Sequence, residues 1–433
     1  MRLKTSLALA FGLATAGWAQ AATELVIATV NNGHMIEMQK LSKNFEAANP
    51  DIKLKWVTLE EGTLRARVTT DIATKGGQFD VMTIGMYETP IWGKKGWLNE
   101  IKADAAYDID DLLPAMRAGL SYEGTLYASP FYGESSMVMY RTDLMAAAGL
   151  EMPAAPTWDF IREAAVAMTD RDNDIYGVCL RGKAGWGENM ALLTAMSNSF
   201  GARWFDMDWT PQFDSDAWAN TLNFYLDLME VAGPPGASNN GFNENLALFQ
   251  TGHCGMWIDA TVAASFVSNP NDSQVAANVG YALAPDNGLG PRGNWLWAWA
   301  LAVPTSSDAS DAAKTFVAWA TSSAYTALVA ETEGWANVPP GTRTSLYQNA
   351  EYLAAAPFAQ MTLDSILSAN PEHSSVQETP YTGVQFVAIP EFAGIATEVG
   401  QIFAAALAGQ VTSADALAQA QALVTEEMEA AGY

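Results

Sequence analysis

Cationic residues are scarce in this chain. It carries 22 Lys and Arg against 48 Asp and Glu, a formal net charge of −26. That balance excludes nucleic acid and anionic membrane surfaces as natural partners, because both present phosphate that basic patches must meet. It names no ligand, since a solvated acidic surface that keeps a protein in solution gives the same number. Histidine is rarer still: His34, His253 and His373 are scattered, and with two cysteines they make no metal-ligand cluster, so no metal and no cofactor is expected. Long apolar runs are missing after residue 21, where no stretch reaches 18 apolar residues without a polar break. The mature chain is therefore expected to lack a membrane helix and to be soluble. Catalytic signatures are missing too. There is no G-x-S-x-G, no H-E-x-x-H, no P-loop pattern and no G-x-G-x-x-G after a strand.

What is present points to a large exported α/β protein. The 433 residues suggest more than one domain, and 49% apolar content supplies sizeable cores. Residues 1–21 read as a secretory signal. Arg2 and Lys4 form the positive end, Leu7–Trp18 is apolar, and Ala19-Gln20-Ala21 is the cleavage site. Cleavage removes those two cations and no acid, moving the charge from −26 to −28. No cysteine follows the cleavage site, so a lipid anchor is not expected. Cys179 and Cys254 enter an oxidising compartment, either as a disulfide or as two buried thiols.

The order of elements is the second signal. Glu24–Val30 is a continuous apolar strand, as a parallel sheet covered on both faces requires. A helix over Ile36–Ala48, a strand over Ile52–Val57, a helix over Thr63–Ala73 and a strand over Phe79–Ile84 follow. This alternation predicts a doubly wound layer with ligands at the carboxyl ends of its strands. Those ends are Asn31–Met35, Leu59–Gly62 and Gly85–Trp92, although each also reads as an ordinary connection. Thr157 is placed to cap a helix up to Met168. Asp170–Asp174 alternates like a calcium loop, but Ile175 and Arg181 stand where Gly and Glu are needed, so a plain turn is expected. Trp295, Trp297 and Trp299 recur at period two on a strand ending near Val303.

The stretch YASPFYGESSMVMYR, residues 127–141, reads as a loop followed by a strand over Met137–Tyr140. It resembles the first interlobe crossover of the extracellular solute-binding proteins (family 1) that serve ABC importers. The resemblance extends from Glu24 to the C-terminus. The strings GMYETPIWGKKGWL, LRGKAGWGENMA and GMWIDATVAAS are similar to those of the sorbitol/mannitol-binding branch. It implies an α/β fold of two lobes, each a doubly wound sheet flanked by helices, joined by a hinge. The expected division is a signal over 1–21, lobe 1 over 22–135, lobe 2 over 136–303, a return to lobe 1 over 304–355, and lobe 2 with C-terminal helices over 356–433.

The resemblance also implies a role: capturing a polyol of the sorbitol, mannitol or arabitol type in the periplasm and delivering it to a permease, as a monomer without enzymatic activity. Fifteen tryptophans suit that role, because sugar C–H faces pack on flat rings while hydroxyls need paired donors and acceptors. A single Trp can equally be lobe packing. Tyr132, Glu134 and Ser135 are expected at the hinge beside the ligand. Glu134 and Asp259 are expected to accept hydroxyl hydrogen bonds, and Trp257 and Trp297 to stack. Asn31, Asn32, His34 and Tyr87 would act from lobe 1. Arg181, Trp186 and Asn189 would act from lobe 2, with Arg343 after a late loop. Two other readings remain open: a receptor for a monosaccharide or oligosaccharide, and an exported glycoside hydrolase or lyase using Glu134 and Asp259 as its carboxylate pair.

Overall fold

Three strands begin the first lobe: β1 (Thr23–Val30), β2 (Ile52–Leu59) and β3 (Val81–Ile84). β1 pairs parallel with both others, its Thr23 aligned with Ile52 and its Ile27 with Val81. The four residues of β3 are all buried, which is why that segment is apolar throughout. The helix Glu61–Thr74 is the crossover between β2 and β3, and Lys75 ends it in the left-handed region at φ 54°. The computed structural model describes residues 22–102 and 107–433, so the expected signal segment lies outside the described residues.

A small hairpin of β4 (Ser121–Tyr122) and β5 (Thr125–Leu126) precedes the crossover. β6 (Ser129–Glu134) then stays in lobe 1, and β7 (Ser136–Arg141) opens lobe 2. β8 (Tyr176–Cys179), β9 (Cys254–Ala260) and β10 (Val279–Leu283) complete the second sheet, in the order β10-β7-β9-β8. β11 (Trp297–Ala302) returns to lobe 1, whose sheet runs β2-β1-β3-β11-β6.

Two expectations need correction. Residues 129–134 are a strand rather than a loop, because β11 supplies an antiparallel partner from 163 to 172 residues further along the chain. For the same reason lobe 2 does not run to 303. β11 pairs with β3 and β6, so the chain has re-entered lobe 1 by Trp297. The helices Ser323–Thr332 and Ala359–Ser368, not anticipated above, also form.

The lobe 2 helix Trp158–Met168 is capped by Thr157, whose hydroxyl accepts from the Phe160 N–H at 3.2 Å. It lies so close to β8 that a methyl on Gly177 would overlap the Ala165 carbonyl. Cys179 and Cys254 are bonded across β8 and β9, with their Cα atoms 5.9 Å apart. Both are fully buried. The hinge is gathered on Ser135. Its hydroxyl donates to the Trp295 carbonyl at 2.6 Å and accepts from the Asn294 amide at 3.0 Å. Its backbone exchanges hydrogen bonds with Thr261.

Candidate functional site

β1, β2 and β6 end at one side of the first sheet, and β11, being antiparallel to β3 and β6, begins there. The same place receives the loop after β8 and the end of β9. A cavity of about 280 Å³ lies between these strand ends. It sits below the roughly 300–1,000 Å³ range of drug-sized ligand pockets.

Trp297 and Trp299 project from alternate positions of β11, and Trp295 precedes them, so all three reach the cavity wall. Trp186 closes the stack from lobe 2, its ring 5.7 Å from that of Trp297. The Arg65 guanidinium lies among these rings, 3.9 Å from the centroid of Trp186, 4.6 Å from Trp299 and 5.0 Å from Trp297. Such a desolvated cation over indole faces is held firmly. Its nitrogens are fixed as well. Nη1 donates to Glu88 at 2.6 Å, and Nε and Nη2 donate to Glu61 Oε1 at 2.9 and 2.8 Å. Glu61 and Arg65 are one helical turn apart, which puts them on one face.

Arg181 is the counterpart in lobe 2. Its Nε and Nη2 grip both oxygens of Asp259 at 2.9 and 2.6 Å, and Nη1 donates to the Gly187 carbonyl at 2.8 Å. Asp259 also accepts from the Trp257 indole and the Ala260 N–H. Glu188 lies 3.4 Å from Arg181 and accepts from the Phe242 N–H at 3.2 Å. Burial pushes Glu188 up to about 7. Burial likewise pushes Glu134 up to about 8, with nearby Arg181 pulling the other way. Tyr132 accepts a 2.6 Å hydrogen bond from the Asn32 amide, its hydroxyl also held neutral by burial.

Of the expected residues, Asn31, Asn32, Tyr132, Glu134, Arg181, Trp186 and Trp297 line the cavity. The others do not. Asp259 is fully buried behind Arg181, and Trp257 packs behind it between Phe242 and Phe249. His34 lies beneath the floor against Tyr132 and Phe266, where burial pulls its imidazole down to about 3 and keeps it neutral. Tyr87 packs behind Trp186, its hydroxyl donating to the Ile389 carbonyl. Asn189 donates to the Gly400 carbonyl at 2.7 Å, anchoring a C-terminal helix. Arg343 is remote: it ties the carbonyls of Tyr107, Asp108 and Thr321 together and pairs with Asp111.

Sequence reasoning reached Glu61 only as part of the Leu59–Gly62 connection and missed Arg65, Glu188, Trp299 and Gln385 as site residues. The Glu61-x-x-x-Arg65 spacing at the head of a helix after β2 was the available signal. Gln385 has no local signal, because it reaches the cavity by bonding both ways to the Leu296 backbone.

Carboxyl groups outnumber cations on the cavity wall, so no cation is left over. Arg65, Arg181 and Lys183 are each already paired with a carboxylate. An anionic ligand would have to compete for them. A neutral molecule with many hydroxyls meets aromatic faces, carboxylate acceptors and the remaining amide donors.

Residues 32–327 match the family described as bacterial extracellular solute-binding protein. A mannitol-binding protein from Pseudomonas aeruginosa is 56% identical over 416 residues, covering 96% of this chain and 95% of that one. An ABC transporter solute-binding protein from Agrobacterium vitis, solved with bound D-mannitol, is 67% identical with a TM-score of 0.94, over 95% of this chain and 100% of that one. Another from Agrobacterium radiobacter, solved with ribitol, is 25% identical with a TM-score of 0.82, over 94% of this chain and 99% of that one.

Proposed function

The chain belongs to the bacterial extracellular solute-binding proteins, and on that premise we propose that it captures a hexitol, D-mannitol or a close stereoisomer, for an ABC importer. The observation that carries this reading is the cavity itself: small, walled by Trp186, Trp295, Trp297 and Trp299, with every cation on its wall already paired. The ligands bound in the similar proteins support the same class, since one holds D-mannitol and another ribitol. Export through cleavage after Ala21, action as a monomer and delivery to membrane permease subunits complete the proposal.

Binding follows from the groups on the wall. Rings of the tryptophans take the C–H edges of an extended polyol. Glu61 gives Oε1 to Arg65, which leaves Oε2 to accept a hydrogen bond from a hydroxyl, and Glu134 offers a second acceptor. Asn32, Tyr132 and Arg181 would supply donors from the two lobes. Contacts from both sides favour the closed arrangement, which is the form a permease would read. An inverted hydroxyl leaves one buried group unmatched, at about 1–3 kcal/mol.

The hydrolase reading loses its carboxylate pair. Asp259 spends both oxygens on Arg181, Trp257 and the Ala260 N–H, so it has none for a water or a sugar. A thermal-shift screen of the mature protein against hexitols, pentitols, monosaccharides and disaccharides tests the proposal. A ligand at about 100 times its Kd adds about 2.7 kcal/mol. Hexitols should give the largest shift and be recovered unchanged; shifts with disaccharides alone would overturn the hexitol assignment.

A further inference from the structure

One end of the cavity is deeply buried and the other meets solvent. Glu134, Arg181 and Trp297 lie at the buried end. Asn31, Glu60 and Asn243 are exposed, and Lys183 is half-buried. Two contacts cross the cleft at this mouth. Lys183 Nζ meets Glu60 Oε1 at 2.6 Å, and the Asn243 amide donates to the Asn31 carbonyl at 3.2 Å. The four groups come from separate places. Asn31 and Glu60 follow β1 and β2 of lobe 1, Lys183 follows β8 of lobe 2, and Asn243 sits in the first turn of the lobe 2 helix Phe242–Gln250. Neither contact belongs to the core of either lobe; each exists only where the two lobes meet.

We propose that this clasp is a length filter: it closes the chamber over a ligand of hexitol size and rejects glycosylated hexitols. The proposal rests on the hexitol reading above and sharpens its ligand class. A second sugar ring attached to a seated hexitol has to leave through the mouth. There it must separate Lys183 from Glu60, or hold the lobes apart. Separation at the mouth costs more than the clasp alone, because Gly187 of lobe 2 rests directly on Glu61 and Arg65 of lobe 1. The clasp pair itself is partly solvated, and pairs of that kind contribute little to stability. Its effect is therefore geometric, which separates it from the groups that grip the ligand.

Calorimetric titration of the mature protein and of a Lys183→Ala/Asn243→Ala double variant, each with D-mannitol and with the glucosyl-hexitol maltitol, tests this. The wild-type protein should bind mannitol and give no heat with maltitol. The double variant should bind maltitol at least tenfold more tightly than the wild type and keep mannitol within tenfold. A variant that binds mannitol and still rejects maltitol overturns the filter, as does a wild type that binds both alike. The single variants Lys183→Met and Asn243→Ser carry the same comparison if the double variant melts early. Failure of the parent reading shows separately, as a wild type that binds no hexitol at all.

Discussion

Arg181 and Asp259 form a two-pronged ion pair behind the cavity wall, at 2.9 and 2.6 Å, with Asp259 wholly removed from solvent. Asp259 therefore acts on a ligand only through Arg181. Removing it leaves a buried guanidinium with no full counter-charge, which costs about 3–5 kcal/mol. Asp259→Ala should lower stability by that order in urea melts and also abolish hexitol binding. A variant of wild-type stability that merely binds more weakly would place Asp259 in direct contact with ligand instead.

Gly187 of lobe 2 packs directly against Glu61 and Arg65 of lobe 1. A methyl there would overlap Glu61 Oε1 and press on Arg65 Nε. Gly187→Ala should hold the cleft partly open and weaken hexitol binding by at least about tenfold, roughly 1.4 kcal/mol. The melting temperature of the ligand-free protein should barely move, because neither lobe is repacked. Unchanged affinity would mean that closure does not bring these residues together.

Burial raises Glu134 from 4.5 to about 8. The folded protein thus keeps a proton that the unfolded chain releases near 4.5. The resulting stability is complete below that pH and is lost as pH rises through about 8. Glu188, raised to about 7, adds a slope of the same sign. Glu134→Gln mimics the neutral acid, so the ligand-free variant should gain melting temperature over wild type at pH 8.5 or so and gain nothing near pH 4. An equal difference at both pH values would remove Glu134 as the titrating group.

The Cys179–Cys254 bond closes a loop with a sequence separation of 75. It joins the two strands that lead to Arg181 and carry Asp259. Replacing both cysteines with Ala should cost about 2–4 kcal/mol by constraining the unfolded chain less. Denaturant titration checks this, and no loss would indicate that the unfolded state is already restricted.

Much of the fold was legible because it is written locally. β1 and β3 announce themselves by apolar runs, β2 by Ile52, Leu54 and Trp56 alternating with Lys53 and Lys55, and Thr157 by its capping position. The sheet that β11 joins was not legible. Its period-two tryptophans declare a strand, but its partners β3 and β6 lie far away in sequence. The site divides in the same way. Asn31, immediately after β1, could be placed on the cavity from element order, and Arg181 only through the family resemblance. Asp259 could not be separated from Arg181, since only the folded geometry shows which of two buried partners faces the ligand. His34 follows β1 just as Asn31 does, yet one turn of helix carries it under the floor.

A receptor of the proposed kind encloses one hexitol between its lobes and releases it unchanged. Isothermal titration of the mature protein with D-mannitol tests it most directly, with the ligand recovered and identified afterwards. One mannitol should bind per chain, saturably and more weakly when Glu134 or Arg181 is replaced, and be recovered intact. Absence of heat with every hexitol, or recovery of a cleaved or altered product, would contradict it.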